Sequence, residues 1–341
     1  MSRRKKLMLT ALGVVVALVL GCTVWILIAK DYAFHEERVT IPGPRGELHG
    51  VLATPADDDG PYGLVVFVHD DGAVDAADGD AYKPLWDAFA KAGFASLSWD
   101  KPGVNDSPGD WLDQSMHDRS AEVDAAIAWA HTRDDIDTTQ IGAWGLGQAG
   151  FVLPVVAQAR PDLRFMIAVD PAINWAHREE FAIRARAHTD DKSPAELAAA
   201  LDRNARRVQL MNSDADYAAY LAAGVDDEPV SAARWGFLKR NRLADATASL
   251  RTVPIPTLLV LGGRDRDVDI TLAERTYRAE VPRDLLTVKS FPDATHNMSR
   301  NDIEYRSGDI RTAGRRLLSP KSVYAPDYLE TLRVFAKRQT E

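Results

Sequence analysis

The stretch IGAWGLGQAGFVLP, residues 141–154, reads as a strand running into a sharp turn and then a helix. Enzymes that build such a turn usually place a serine, cysteine or aspartate at its tip, as the nucleophile. The tip here is Gly147, which offers no lone pair to attack a carbonyl and no proton for a base to accept. Glycine does suit the backbone, because a strained turn is least costly without a Cβ. No thiol stands in: Cys22 is the only cysteine, so the chain beyond it has no disulfide, cysteine nucleophile or thiolate metal site. The eight histidines show no ligand spacing such as His-x-x-x-His, so no metal and no cofactor is expected. Ser98, Ser107 and Ser115 are the hydroxyls that could substitute, but none sits on such a turn and each reads as a strand or loop residue.

The elements around this turn alternate. RVTIP, a turn at GPRG and ELHGVLATP predict a β-hairpin. GLVVFVHDDG is an uninterrupted apolar run of the kind that suits a strand covered on both faces. Helix YKPLWDAFAKAG, strand FASLSWD, helix RSAEVDAAIAWAHTR, strand IGAWG, helix QAGFVLPVVAQAR and strand RFMIAVD follow. This rhythm predicts an α/β fold with right-handed crossovers. It stops after Pro171: residues 172–250 contain no convincing strand, and SPAELAAALDRNARRVQLM opens with a capping box at Ser193 and Glu196. Strands resume at PTLLVLGGRD and LLTVKSF, and helix APDYLETLRVFAKRQ closes the chain. The expected division is 1–30 as a basic tip and membrane anchor, 31–171 and 251–341 as two parts of one core, and 172–250 as a helical cap over the sheet's carboxyl edge.

Taken in order, five strand-end segments resemble the α/β-hydrolase family, most nearly its exported bacterial esterase- or peptidase-like members, over roughly residues 36–338. VVFVHDDG lies where the family has an oxyanion loop beginning His-Gly, and SWDKPGVNDSPG resembles its Asp-x-x-Gly-x-x-x-Ser loop. GLGQAG lies where it has Gly-x-Ser-x-Gly or Gly-x-Ser-x-Ala, LGGRD resembles the acid turn, and DATHNM the histidine loop. The resemblance implies a mostly parallel, doubly wound sheet with a helical cap. It places nucleophile, acid and histidine at Gly147, Asp265 and His296, with Asp265 holding the imidazole in one tautomer. Asp267 and Asp269 are fallback acids. Asp265 as a plain turn residue beside Arg264 and Arg266, and His296 as a solvated loop histidine, are the bland alternatives.

By position, the oxyanion would be held by the backbone N–H groups of Asp71 (or Asp70) and Gln148. Here lies a second departure, since His-Gly has become His69-Asp70. A carboxylate beside a site built for negative charge should oppose it, unless Asp70 points outward. His69 is expected to support the loop by hydrogen bonding.

The N-terminus carries a membrane signal. SRRKK precedes Leu7 to Ala29, an uncharged run of 23 residues. That is enough to cross roughly 30 Å of hydrocarbon at about 1.5 Å per residue. The leading cations predict a single-pass cell-membrane protein with everything after Lys30 extracytoplasmic. Cleavage as a signal peptide and lipidation at Cys22 in LVLGC are the competing readings; against lipidation, the apolar run continues through TVWILIA. Formal net charge is −9, and residues 1–30 carry +5, leaving 36 basic against 50 acidic residues beyond them. A body that acidic should repel nucleic acid.

Two functions follow. In one, a membrane-anchored α/β-hydrolase-fold protein has lost serine catalysis and binds a small molecule, a peptide or a partner in its capped pocket. In the other, it remains an ester, thioester or peptide hydrolase that uses the Asp265–His296 pair with water or an unrecognised nucleophile.

Overall fold

The computed structural model describes residues 31–304 and 318–340. Residues 1–30, to which the membrane span was assigned, lie outside them. Among the described residues no helix is long and apolar enough to cross a membrane.

An eight-stranded sheet in the order β1-β2-β4-β3-β5-β6-β7-β8 forms the frame. Its strands are β1 (Phe34–Gly43), β2 (Gly46–Pro55), β3 (Tyr62–Val68), β4 (Phe94–Trp99), β5 (Ile136–Leu146), β6 (Leu163–Val169), β7 (Thr257–Gly262) and β8 (Leu286–Phe291). The hairpin β1–β2 and the β2–β4 pair are antiparallel, and β4-β3-β5-β6-β7-β8 is parallel throughout. All seven residues of β3 are buried. Their side chains alternate between two cores: Leu64, Val66 and Val68 face one, Val65 and Phe67 the other. An apolar run without alternation is what a strand roofed on both faces requires.

Two helices cover one face: α1 (Lys83–Ala90), which Gly93 follows, and the closing helix, labelled α10 below. On the other face lie α2 (Met116–Ala130), opened by a capping box between Ser115 and Asp118, and α3 (Leu153–Ala159), with Pro154 in its first turn. The segment 172–250 contributes no strand to the sheet. It holds α4 (Trp175–Thr189), α5 (Pro194–Asn212), α6 (Tyr217–Ala222), α7 (Ala232–Asn241) and α8 (Thr247–Leu250). The capping box read at Ser193 and Glu196 starts α5. After β7 comes α9 (Ile270–Glu280), and α10 (Tyr328–Lys337) ends the fold.

The strand-to-helix crossovers bring the carboxyl ends of β3, β5, β6, β7 and β8 to one edge. His69–Gly72, Gly147, Asp170, Asp265 and His296 follow those strands, and that edge is where a doubly wound sheet offers a site.

Candidate active site

Three loops converge on His296. Its Nδ1 donates to Asp265 Oδ2 at 2.7 Å, and its Nε2 donates to Asp70 Oδ2 at 3.1 Å. Asp265 is fixed in turn, its Oδ1 accepting from the Asp267 N–H at 2.7 Å and the Val268 N–H at 2.9 Å. The fallback acids serve elsewhere: Asp269 caps α9 and meets His177, and the Asp267 backbone supports Asp265.

Asp70 does not point outward. It points into the site, and its Oδ1 accepts from the Gln148 N–H at 2.7 Å. The sequence reading expected that N–H to hold an oxyanion; it already holds a carboxylate. The other oxyanion candidate, Asp71, has its side chain turned to Arg234 of α7 in a two-pronged ion pair at 2.6 and 2.9 Å. Gly147 turns with φ +56°, in the left-handed region. A Cβ built there would lie 2.2 Å from Asp70 Oδ1 and 2.7 Å from Asp70 Oδ2. The space a side chain at the turn would need is therefore filled by the Asp70 carboxylate.

Buried bases anchor the loop that carries Asp70. Lys101 Nζ donates to the Asp70 carbonyl and, at 2.9 Å, to the Gly72 carbonyl. Arg119 donates to the His69 carbonyl and, at 3.2 Å, to Gln148 Oε1. His69 Nε2 donates to the Trp99 carbonyl at 2.6 Å, while Nδ1 lies 3.1 Å from the Tyr82 hydroxyl. Burial, with Lys101 nearby, pushes the His69 imidazole down to about 3, so it is a neutral brace for the loop.

Burial opposes charge on His296, but Asp265 and then Asp70 outweigh it and raise its pKa well above 6.5. Burial would likewise raise Asp70, yet His296, Arg178 and the Gln148 N–H hold it well below the usual carboxylate range. Arg178 of α4 stays charged, its burial outweighed by Asp70, Glu179 and Asp71. The resting site is an Asp–imidazolium–Asp chain.

Behind it lies Asp170, a residue the sequence reading missed. It is buried with φ +40°, and its Oδ1 accepts from the Gly262 N–H at 2.8 Å. Burial and then Asp265 raise its pKa well above 3.8, so it is a carboxylic acid beside a carboxylate. An Asp closing the strand FMIAVD, as Asp265 closes LVLGGRD, was the signal available. Asp170, Asp265 and His296 together could be read as a metal-ligand set. However, His296 Nδ1 and Asp265 Oδ2 already hydrogen-bond each other. The substitute hydroxyls stand apart: Ser98 is buried in β4, Ser107 accepts from the His49 N–H, and Ser115 caps α2.

Asp70 is the member of the chain that faces open space, with about a fifth of its side chain exposed (21%). It lines a cavity of about 930 Å³ walled by aromatic residues that include Tyr82, Trp144, Tyr324 and Tyr328. Among the described residues none of this lining comes from 172–250. That cavity opens beside the cap segment. The cap meets the site through the Arg234–Asp71 ion pair and through Arg178.

A family model for X-Pro dipeptidyl-peptidases, the S15 peptidase family, matches residues 39–286. The chain belongs to that family. Solved structures share its α/β-hydrolase fold. An esterase from Pyrococcus furiosus is 14% identical, with 91% of this chain and 94% of that chain covered at a TM-score of 0.54. An esterase from Pyrobaculum calidifontis is also 14% identical, covering 99% and 98% at a TM-score of 0.54. The esterase domain of a Rhodothermus marinus protein is 15% identical, covering 89% and 98% at 0.53. At such identities the likeness is one of fold. No curated protein matches the chain. Within this esterase- and peptidase-like fold, His296 and Asp265 lie together at the sheet's carboxyl edge, and the turn at Gly147 shares the Asp70 carboxylate with them.

Proposed function

We propose that this S15-family α/β hydrolase does not run serine acyl transfer. Asp70 takes the places of both the missing hydroxyl and the oxyanion, and a small-molecule or peptide ligand binds in the cavity onto which Asp70 opens. One observation carries the reading: a single carboxylate engages His296 Nε2 and the Gln148 N–H, where a Cβ on Gly147 would have to stand. Activation of water by His296 is the other reading. It needs a neutral imidazole, whereas both ring nitrogens face carboxylates.

A fluorophosphonate serine probe tests this on the full chain. No labelling is expected. Labelling of the parent protein that disappears in His296→Ala would overturn it.

The basic tip and the uncharged run Leu7–Ala29 support a single membrane anchor, with residues 31–341 outside the cytoplasm. A C-terminal alkaline phosphatase fusion should be active in cells. An inactive fusion alongside an active cytoplasmic reporter would reverse this orientation.

A further inference from the structure

We infer that the cap holds a second ligand site, between α4, α5 and the end of α7, and that it takes a small monocarboxylate with an apolar tail. The inference is independent of the reading of Asp70: among the described residues none lines both this cavity and the one beside Asp70.

Helix geometry places the wall. The Asn174 side chain caps α4 by accepting from the His177 N–H at 3.0 Å, which sets Trp175 in the first turn. Arg207 and Met211, one turn apart, share a face of α5. Leu238 comes from α7, and Arg242 follows that helix directly.

Three side-chain N–H donors of wall residues are buried and have no acceptor among the described residues: Trp175 Nε1, Arg207 Nε and Arg242 Nε. Trp175 is only 2% exposed, and its ring packs on Phe151 and Phe237 with centroids 5.9 and 5.8 Å away. The two guanidinium groups are fixed by their other nitrogens. Arg207 Nη2 lies 3.6 Å from Asp226 Oδ1, and Arg242 Nη1 donates to the Lys239 carbonyl at 2.6 Å. Buried donors are normally paired, so three around one cavity point to an acceptor brought by a ligand.

That acceptor is an anion. Each acid on the wall already serves another donor. Glu179 accepts from Arg178 at 3.3 Å, and Asp245 accepts from Asn174 Nδ2 at 2.9 Å and the Thr247 N–H at 2.8 Å. A carboxylate offers two charged oxygens to guanidinium N–H groups, a stronger pairing than a neutral carbonyl gives. Val208, Met211, Leu238 and Leu243 make the remaining wall apolar, and Leu243 is 76% exposed, so the cavity reaches the surface beside it. The volume sets the size. An apolar cavity of about 150 Å³ takes a benzene, so the 240 Å³ here suits a carboxylate of roughly eight or nine non-hydrogen atoms rather than a peptide.

The test uses the full chain and hexanoate. The indole N–H resonance of Trp175, assigned by its loss in Trp175→Phe, should move and saturate on titration. 1-Hexanol and hexylamine, which carry the same tail without the negative charge, should leave it in place. Acetate, which carries the charge without the tail, should move it only at far higher concentration. Arg207→Gln and Arg242→Gln should each weaken hexanoate binding about tenfold or more, the loss expected for one charge-assisted hydrogen bond. His296→Gln should bind hexanoate as the parent does. The inference is overturned if hexanoate leaves the Trp175 resonance in place, or if 1-hexanol moves it as readily, since the three donors then serve water. It is overturned equally if the arginine variants, folded by circular dichroism, keep the parent's affinity. Should one arginine variant fail to fold, the other variant and the alcohol comparison on the parent still decide.

Discussion

Gly147 and Asp70 fit only as a pair: a Cβ on Gly147 would lie 2.4 Å from Asp70 Cγ, well inside contact distance. The glycine at the turn and the aspartate two strands away in sequence look like independent departures from a hydrolase pattern. In space, one makes room for the other. The carboxylate then takes the two hydrogen bonds, from His296 Nε2 and the Gln148 N–H, that a serine site would divide between its hydroxyl and its oxyanion.

Stability should report that pairing. Gly147→Ala alone puts a Cβ at φ +56° and against Asp70, and should lose about 2 kcal/mol or more. Combined with Asp70→Gly, the alanine should be accommodated better, giving a coupling of about 1–3 kcal/mol in urea denaturation. Additive losses would mean the two residues do not share the space.

Asp170 and Asp265 should respond differently to the same change. Asp170 already behaves as a neutral acid, so Asp170→Asn keeps the hydrogen bonding and should shift stability by no more than about 1 kcal/mol at neutral pH. Asp265→Asn strips the buried imidazolium of its main partner and should cost roughly 3–5 kcal/mol. Equal losses in chemical denaturation would contradict the protonation assigned here.

Stability should also fall on the alkaline side. The folded pKa of His296 lies above its ordinary 6.5, so its ion pairs contribute fully below about pH 6.5, and that contribution is lost as pH rises through the folded value. Urea midpoints measured from pH 6.5 upward should decline in the parent and decline less in His296→Gln. Asp70→Asn should lower the His296 titration followed by NMR, since one of its two carboxylate partners is gone.

The loop beneath the site should be costly to disturb. Arg119→Met leaves the His69 carbonyl and Gln148 Oε1 without their donor in a buried setting. At about 1–3 kcal/mol for each such group, a loss of at least 2 kcal/mol in urea denaturation is expected. A neutral result would show that another group holds these carbonyls.

The order of strands was legible because each core strand is an apolar run ending in polar or glycine residues, and the capping box at Ser193 and Glu196 marked a helix start; the one at Ser115 went unread, and that helix begins at Met116 rather than at Arg119. Asp265 and His296 were legible because each closes a strand in a recurring context. Asp70 was not legible as a member of the site. Its neighbours in sequence suggested an oxyanion loop, and whether its side chain turned in or out depended on Lys101 and Arg119, 31 and 49 residues away in sequence, gripping the carbonyls around it. Asp170 escaped because its meaning depends on burial beside Asp265, 95 positions later.

Ester hydrolysis by two variants tests the central claim most directly. Gly147→Ser alone should remain as inactive towards p-nitrophenyl acetate as the parent, because Asp70 occupies the hydroxyl's space and the Gln148 N–H. Asp70→Gly/Gly147→Ser should clear both, set a hydroxyl beside the preoriented His296–Asp265 pair, and raise the rate by about 10²-fold or more over the single variant. Turnover by Gly147→Ser with Asp70 in place, equal to that of the double variant, would contradict the account.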